Sequence, residues 1–199
     1  MQTARSPLLM NRDDSALLIV DVQEKLVPHI AEQQAMLWNI GRLCRGAAVL
    51  GVPVCLTEQY PRGLGATVQE IKDQLGPDMA IHEKLMFSAR ECTELNSALQ
   101  DKNIRNVVLT GIETHICVLQ TAMDLMANGY NVFICIDGVG SRHEEDFMTA
   151  MQRMETSGAT LVSTEMVLFE WCEKAGTPEF KKISRIAQEE FDGGDEAED

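Results

Sequence analysis

Short apolar runs rich in β-branched residues alternate along this chain with longer stretches in which apolar side chains recur every three or four positions. That alternation is the pattern of a parallel sheet covered by helices. It predicts strands at Ala16–Asp21, Val52–Thr57, Ala80–Lys84, Asn106–Thr110 and Asn131–Ile136, with a shorter sixth at Ala159–Val162. Several carry apolar residues on both faces, as strands buried between two helix layers must. The same reading predicts helices at Gln33–Leu50, Cys92–Lys102, Thr114–Asn128, Glu144–Ser157 and Pro178–Glu189. Gly129 and Gly158 close two of them, and Pro178 opens the last. An apolar helix is also expected near Met166–Cys172, where it is a candidate subunit contact. No repeat or interdomain linker interrupts the pattern, so residues 1–188 are expected to form one domain.

Composition narrows the partners. Seventeen basic residues stand against 31 acidic ones, a formal net charge of -14. A nucleic-acid binder shows the opposite bias, so nucleic acid is not the expected partner. Half of that charge sits in residues 189–199, which carry seven acids and no base and are expected to be a disordered tail. No apolar run reaches the length that crosses a bilayer, so no membrane partner is expected either. The six cysteines include no CxxC pair, which argues for free thiols in a reducing compartment. The expected location is the cytoplasm. Arg5 and Arg12, with no acid among the first twelve residues, leave a mitochondrial presequence as the alternative.

Ligands of open parallel sheets bind at the carboxyl ends of the strands, and three reactive side chains fall there. Asp21 closes ALLIVD, Lys84 closes AIHEK, and Cys117 follows NVVLTG by a few residues. A cysteine in the first turn of a helix meets free N–H groups and the positive end of the dipole, both of which favour a nucleophilic thiolate. Cys117 could equally be a small apolar residue packed beneath the helix. Asp21 has an alternative as a helix cap, and Lys84 as a surface lysine. Together the three would supply base, cation and nucleophile.

The combination of ALLIVDVQ, EKLMFSA and VVLTGIETHICV, in that order and spacing, resembles the isochorismatase-like (cysteine hydrolase) superfamily over nearly all of residues 10–185. TEQYPRGLGATV and SRHEED are most similar to its eukaryotic-type isochorismatase domain-containing proteins. The resemblance implies an α/β fold of three layers, α/β/α and Rossmann-like, with a six-stranded parallel sheet. It implies a catalytic triad of Asp21, Lys84 and Cys117, and a cis peptide at Ile112–Glu113. The backbone N–H groups of Glu113 and Cys117 would form an oxyanion hole. It further implies a homo-oligomer.

Within that superfamily the cysteine separates hydrolases of amides and related C–N bonds from vinyl-ether-cleaving isochorismatases. Cys117 therefore implies hydrolysis of a small amide-like substrate through an acyl-thioester, with Asp21 as general base and then acid. Gln23, Gln59, Tyr60 and Phe87 flank strand ends and are candidate substrate-binding residues, with packing or loop roles as their alternatives. The stretch around Thr57–Gly65, where nicotinamidases carry metal-binding histidines, has none, so no metal is expected. GVGSRH lacks the third glycine of GxGxxG, so no cofactor is expected. His115 precedes Cys117 by two residues, a spacing that does not share a helix face. A binding or regulatory protein on the same fold, with little hydrolase activity, is the competing function.

Overall fold

The computed structural model describes residues 4–76 and 79–193. Its centre is a six-stranded, all-parallel sheet: β1 (Ser15–Val20), β2 (Val54–Gln59), β3 (Ile81–Lys84), β4 (Asn106–Ile112), β5 (Asn131–Gly140) and β6 (Thr160–Val162). The strands lie in the order β3-β2-β1-β4-β5-β6, so the chain winds outward from β1 in both directions. Every residue of β1 and β4 is buried. That is why SALLIV and NVVLTGI read as unbroken rather than alternating apolar runs.

Helices α1 (Gln33–Leu50), α7 (Thr164–Cys172) and α8 (Pro178–Ala187) cover one face, with the short α3 (Gln69–Lys72) beside them. Leu17 and Ile19 point into this layer, against Ile40, Leu43, Leu168 and Trp171. The other face carries α4 (Thr93–Asp101), α5 (Leu119–Ala127) and α6 (Glu144–Thr156), packed on Leu18, Val20, Leu109 and Ile134. A one-turn α2 (Pro61–Leu64) follows β2.

The three-layer architecture expected from the resemblance is the one observed, and each predicted strand and helix has its counterpart, with ends moved by a few residues. The predicted helix Thr114–Asn128 is the main revision. It begins as a π turn over Thr114–Val118 and becomes α-helical only at Leu119. Gly129 and Gly158 adopt left-handed conformations after α5 and α6, as their position predicts. Of the apolar helix α7, Val167, Leu168, Trp171 and Cys172 are buried within the chain, leaving Met166 and Phe169 exposed.

The acidic stretch expected to be free from residue 189 is seated at its start. Phe191 packs on Trp38 at 5.5 Å between ring centroids, and Glu189 pairs with Arg45. Arg42 stacks on the same indole at 4.4 Å and donates to the Ile186 and Ala187 carbonyls that end α8. An apolar ring with an aromatic platform in reach outweighs the local acidity. Residues 194–199 of the predicted tail lie outside the described residues. All six cysteines are free and buried. Among the described residues no helix is long and apolar enough to cross a membrane.

Candidate active site

Strand register brings distant parts of the sequence to one point. Val20 lies opposite Thr57 on β2 and opposite Gly111 on β4, while Gln59 lies opposite Lys84 on β3. Asp21, one residue beyond β1, therefore emerges where the connections diverge to the two sides of the sheet. That switch point is where open α/β sheets bind ligands. The close approach of β4 depends on Gly111, whose φ is +104° and whose Cβ, if present, would lie 2.1 Å from the Val20 carbonyl oxygen.

Asp21 is fully buried and itself adopts a left-handed φ of 53°. Its Oδ2 accepts from Lys84 Nζ at 2.6 Å and its Oδ1 from Thr57 Oγ1 at 2.7 Å. Cys117 is buried close enough to feel both charges, Asp21 raising its thiol and Lys84 lowering it. Lys84, with its side chain wholly buried, also donates to Gln59 Oε1 at 2.8 Å and to the Phe87 carbonyl at 2.9 Å. The ammonium is thus held by a fixed set of acceptors. Surface-lysine and cap roles are excluded for Lys84 and Asp21 by this burial and pairing.

Electrostatics reverses one expectation. The Cys117 thiol is pushed up to about 12, first by burial and then by the Asp21 charge, with Lys84 opposing. Desolvation of a residue only 5% exposed outweighs whatever the start of the helical segment offers a thiolate. Burial likewise raises Asp21 above the ordinary carboxylate range, against the lowering effect of Lys84. Burial thus favours the protonated form of both groups, and Lys84 opposes it in both.

The remaining candidates separate into two groups. Gln23 is completely buried: its Nε2 donates to the Gln59 and Gly65 carbonyls at 3.0 and 2.7 Å, and its Oε1 accepts from Gln59 N–H at 2.7 Å. Gln59 spends its amide on Lys84 and on the Leu85 carbonyl. Both shape the site from behind. Tyr60 and Phe87 are about half exposed, at 50% and 51%, and flank its outer side. The Ile112–Glu113 peptide is cis, and the Glu113 carbonyl accepts from Ile116 and Val118 at the start of the turn that carries Cys117. His115 turns away to Ser141, 2.9 Å from Nδ1, and to Asp146, so no Cys–His dyad forms.

Two residues with roles here were not singled out in the sequence. Thr57 ends a predicted strand with nothing local to mark it as the second donor to Asp21. Arg142 holds Glu113 through Nε at 2.9 Å, a pairing that follows from Ile112 lying opposite Gly140. Among the described residues no cluster of three or more His, Cys, Asp or Glu could hold a metal ion.

The isochorismatase domain profile matches residues 15–166. The chain is 36% identical over 183 residues to isochorismatase family protein 1B of Dictyostelium discoideum, covering 90% of this chain and 89% of that one. It is similar to the structure of MAR1 ribonuclease from Caenorhabditis elegans, with a TM-score of 0.84, 35% identity, and coverage of 89% and 91%. The YcaC gene product of Escherichia coli, described as an octameric hydrolase of unknown specificity, shares the fold at a TM-score of 0.83 and 23% identity, with 92% of each chain covered.

Proposed function

This chain belongs to the isochorismatase domain family, and from that premise we propose that it is a cysteine-dependent hydrolase of a small amide or related C–N bond, working through an acyl-thioester on Cys117. The observation that carries the reading is the buried Lys84–Asp21 pair at two strand ends, with the buried Cys117, in the turn after a third strand, under the influence of both charges. Such a set is costly to bury and is not needed to pack a sheet edge.

The chemistry follows from the protonation states. With its thiol raised to about 12, Cys117 needs a base at neutral pH, and Asp21, whose charge acts on that thiol, is the group proposed for it. Asp21 takes the thiol proton as Sγ attacks the carbonyl carbon. The backbone N–H groups of Glu113 and Cys117 are assigned to the developing oxyanion. As the tetrahedral intermediate collapses, the C–N bond breaks and Asp21 returns the proton to the leaving nitrogen. A water then attacks the thioester while Asp21 takes one of its protons, and the acid leaves as Sγ recovers a proton. Lys84 stays a cation throughout: it pairs with Asp21 while Asp21 is ionised and offsets the negative charge on the substrate oxygen while Asp21 holds the proton. No cofactor enters the scheme.

The name of the nematode relative gives a second reading, RNA cleavage. Against it stand the net charge of -14 and a nucleophile almost wholly withdrawn from solvent. Incubating the protein with a panel of small amides, and separately with RNA, tests both readings. Amine release that disappears in Cys117→Ala supports the amide hydrolase. RNA cleavage that disappears in the same variant would replace it, and the absence of both would favour a binding role. The same proposal includes a homo-oligomer, with the exposed Met166 and Phe169 as candidate contacts. Light scattering measures it.

A further inference from the structure

We propose that Thr57 is a positioning residue for the base: from β2 it clamps the backbone of Asp21 and the carboxylate oxygen, Oδ1, that takes and returns the proton. The proposal rests on the hydrolase reading above, which makes Asp21 the base, and adds a residue that acts through it. Asp21 follows the last residue of β1 and leaves the strand at the left-handed φ of 53°. A residue with a side chain adopts that conformation at a cost, so neighbouring structure must hold it there. Thr57 holds it at two points. Its carbonyl accepts from the Asp21 N–H at 3.1 Å, and its hydroxyl donates to Asp21 Oδ1 at 2.7 Å. The Gln23 N–H then closes the turn on the Asp21 carbonyl at 2.8 Å.

The hydroxyl is used differently from that of the threonine on the other side of β1. Thr110, on β4, points its hydroxyl at the Leu18 carbonyl at 3.5 Å, whereas the fully buried Thr57 gives its one hydroxyl proton to a carboxylate. The two oxygens of Asp21 are therefore unlike. Oδ2 lies 2.6 Å from Lys84 Nζ, an ammonium that can only donate, so a proton placed on Oδ2 would face another proton. Oδ1 faces a hydroxyl, which donates while the carboxylate is ionised and can accept once it carries a proton. The charged and titratable groups around Asp21 are Lys84 at the end of β3, Cys117 in the turn after β4, and Cys92 ahead of α4. Glu58, beside Thr57, turns instead to Thr67. Burial raises Asp21, and Thr57 acts with Lys84 to hold it down. Loss of the hydroxyl must raise Asp21 further, leaving it protonated and unable to serve as base over more of the pH range.

The test sets Thr57→Val, which removes the hydroxyl and keeps the branched shape, beside Thr57→Ser, which keeps the hydroxyl. Thr57→Ala carries the same expectation as the valine variant and replaces it if that chain does not fold. Two readouts are taken on the full chain. The first is the titration midpoint of Asp21, followed by NMR of protein carrying carbon-13 at its aspartate carboxyls and identified by the signal lost in Asp21→Asn. The second is kcat/KM from pH 5 to 9 for the small amide that wild type hydrolyses fastest. Thr57→Val is expected to raise the midpoint by about 1 pH unit or more and to move the acid limb of kcat/KM up with it. At pH 7 it should lower kcat/KM about 10- to 100-fold, as the loss of a hydrogen bond to a charged group does. Thr57→Ser is expected to keep the wild-type midpoint and to stay within about threefold of wild type in kcat/KM. An unmoved midpoint in a folded valine or alanine variant overturns the clamp, and so does a serine variant that shifts as far as valine. A midpoint that moves while the acid limb stays in place overturns the link between the clamped oxygen and proton transfer. A moved midpoint in a protein whose wild type hydrolyses no amide keeps the hold of Thr57 on Asp21 and removes the hydrolase.

Discussion

At the scale of single residues, the site is a compromise between burial and charge. Asp21 and Cys117 are each pushed toward the protonated form by burial, and only Lys84 opposes this for both. Replacing Asp21 by Asn removes the proposed base and the negative charge that raises the thiol. Hydrolysis should fall by about three orders of magnitude or more. The Cys117 thiol should nevertheless ionise at a lower pH than its wild-type value of about 12. Iodoacetamide labelling across pH 7–11 checks this: the variant's profile should shift to lower pH although its activity is lost. Lys84→Met acts in the other direction, raising both groups. It should cost about 3 kcal/mol or more at pH 8, because a buried carboxylate loses its partner. Less should be lost at pH 5, where Asp21 can take a proton, and denaturant titrations at the two pH values measure the difference.

Elements decide how much of this could be read in advance. The strands were legible because β1 and β4 are buried on both faces, which writes unbroken apolar runs into the sequence. Asp21 and Lys84 were legible at strand ends and Cys117 a few residues after one, and the resemblance is what proposes them as a triad. Their contacts were not legible, because they depend on register: nothing near Thr57 announces that it will lie opposite Val20. The π turn was read as ordinary helix for the same reason, since its departure from α geometry is set by what Glu113 accepts rather than by the period of THICV. Gln23 and Gln59 show the limit from the other side. They lie at strand ends as ligand residues do, yet their amides join β1, β2 and β3 behind the triad. Gly111 is the joint on which β1 and β4 depend. Gly111→Ala should lower stability by about 3 kcal/mol or more, since its Cβ would meet backbone that cannot yield. A folded variant with wild-type melting temperature would show that β4 can move away from Val20.

Across the whole molecule, six buried thiols in a single domain make alkaline pH the weak side of its stability. Burial raises every one of them, Cys44 and Cys117 to about 12 and Cys92 to about 11, from 9.0 in the open chain. Between those limits the unfolded chain binds fewer protons than the native one, so stability must fall as pH rises. The stabilisation is complete below about pH 9 and is lost toward pH 11–12, and melting temperatures measured from pH 8 to 11 should drop accordingly. Substituting the buried cysteines that lie away from the triad, such as Cys44 by Ala, should flatten that slope.

The measurement that bears most directly on the hydrolase mechanism is peptide mass spectrometry of wild type, Asp21→Asn and Cys117→Ala, quenched during incubation with a panel of small amides while amine release is followed. The expected result is an acyl adduct on Cys117 in wild type together with amine release, and neither in the two variants. Amine release that survives Cys117→Ala, an adduct on one of the other five cysteines accompanied by turnover, or no release from any amide would contradict a Cys117 nucleophile served by Asp21.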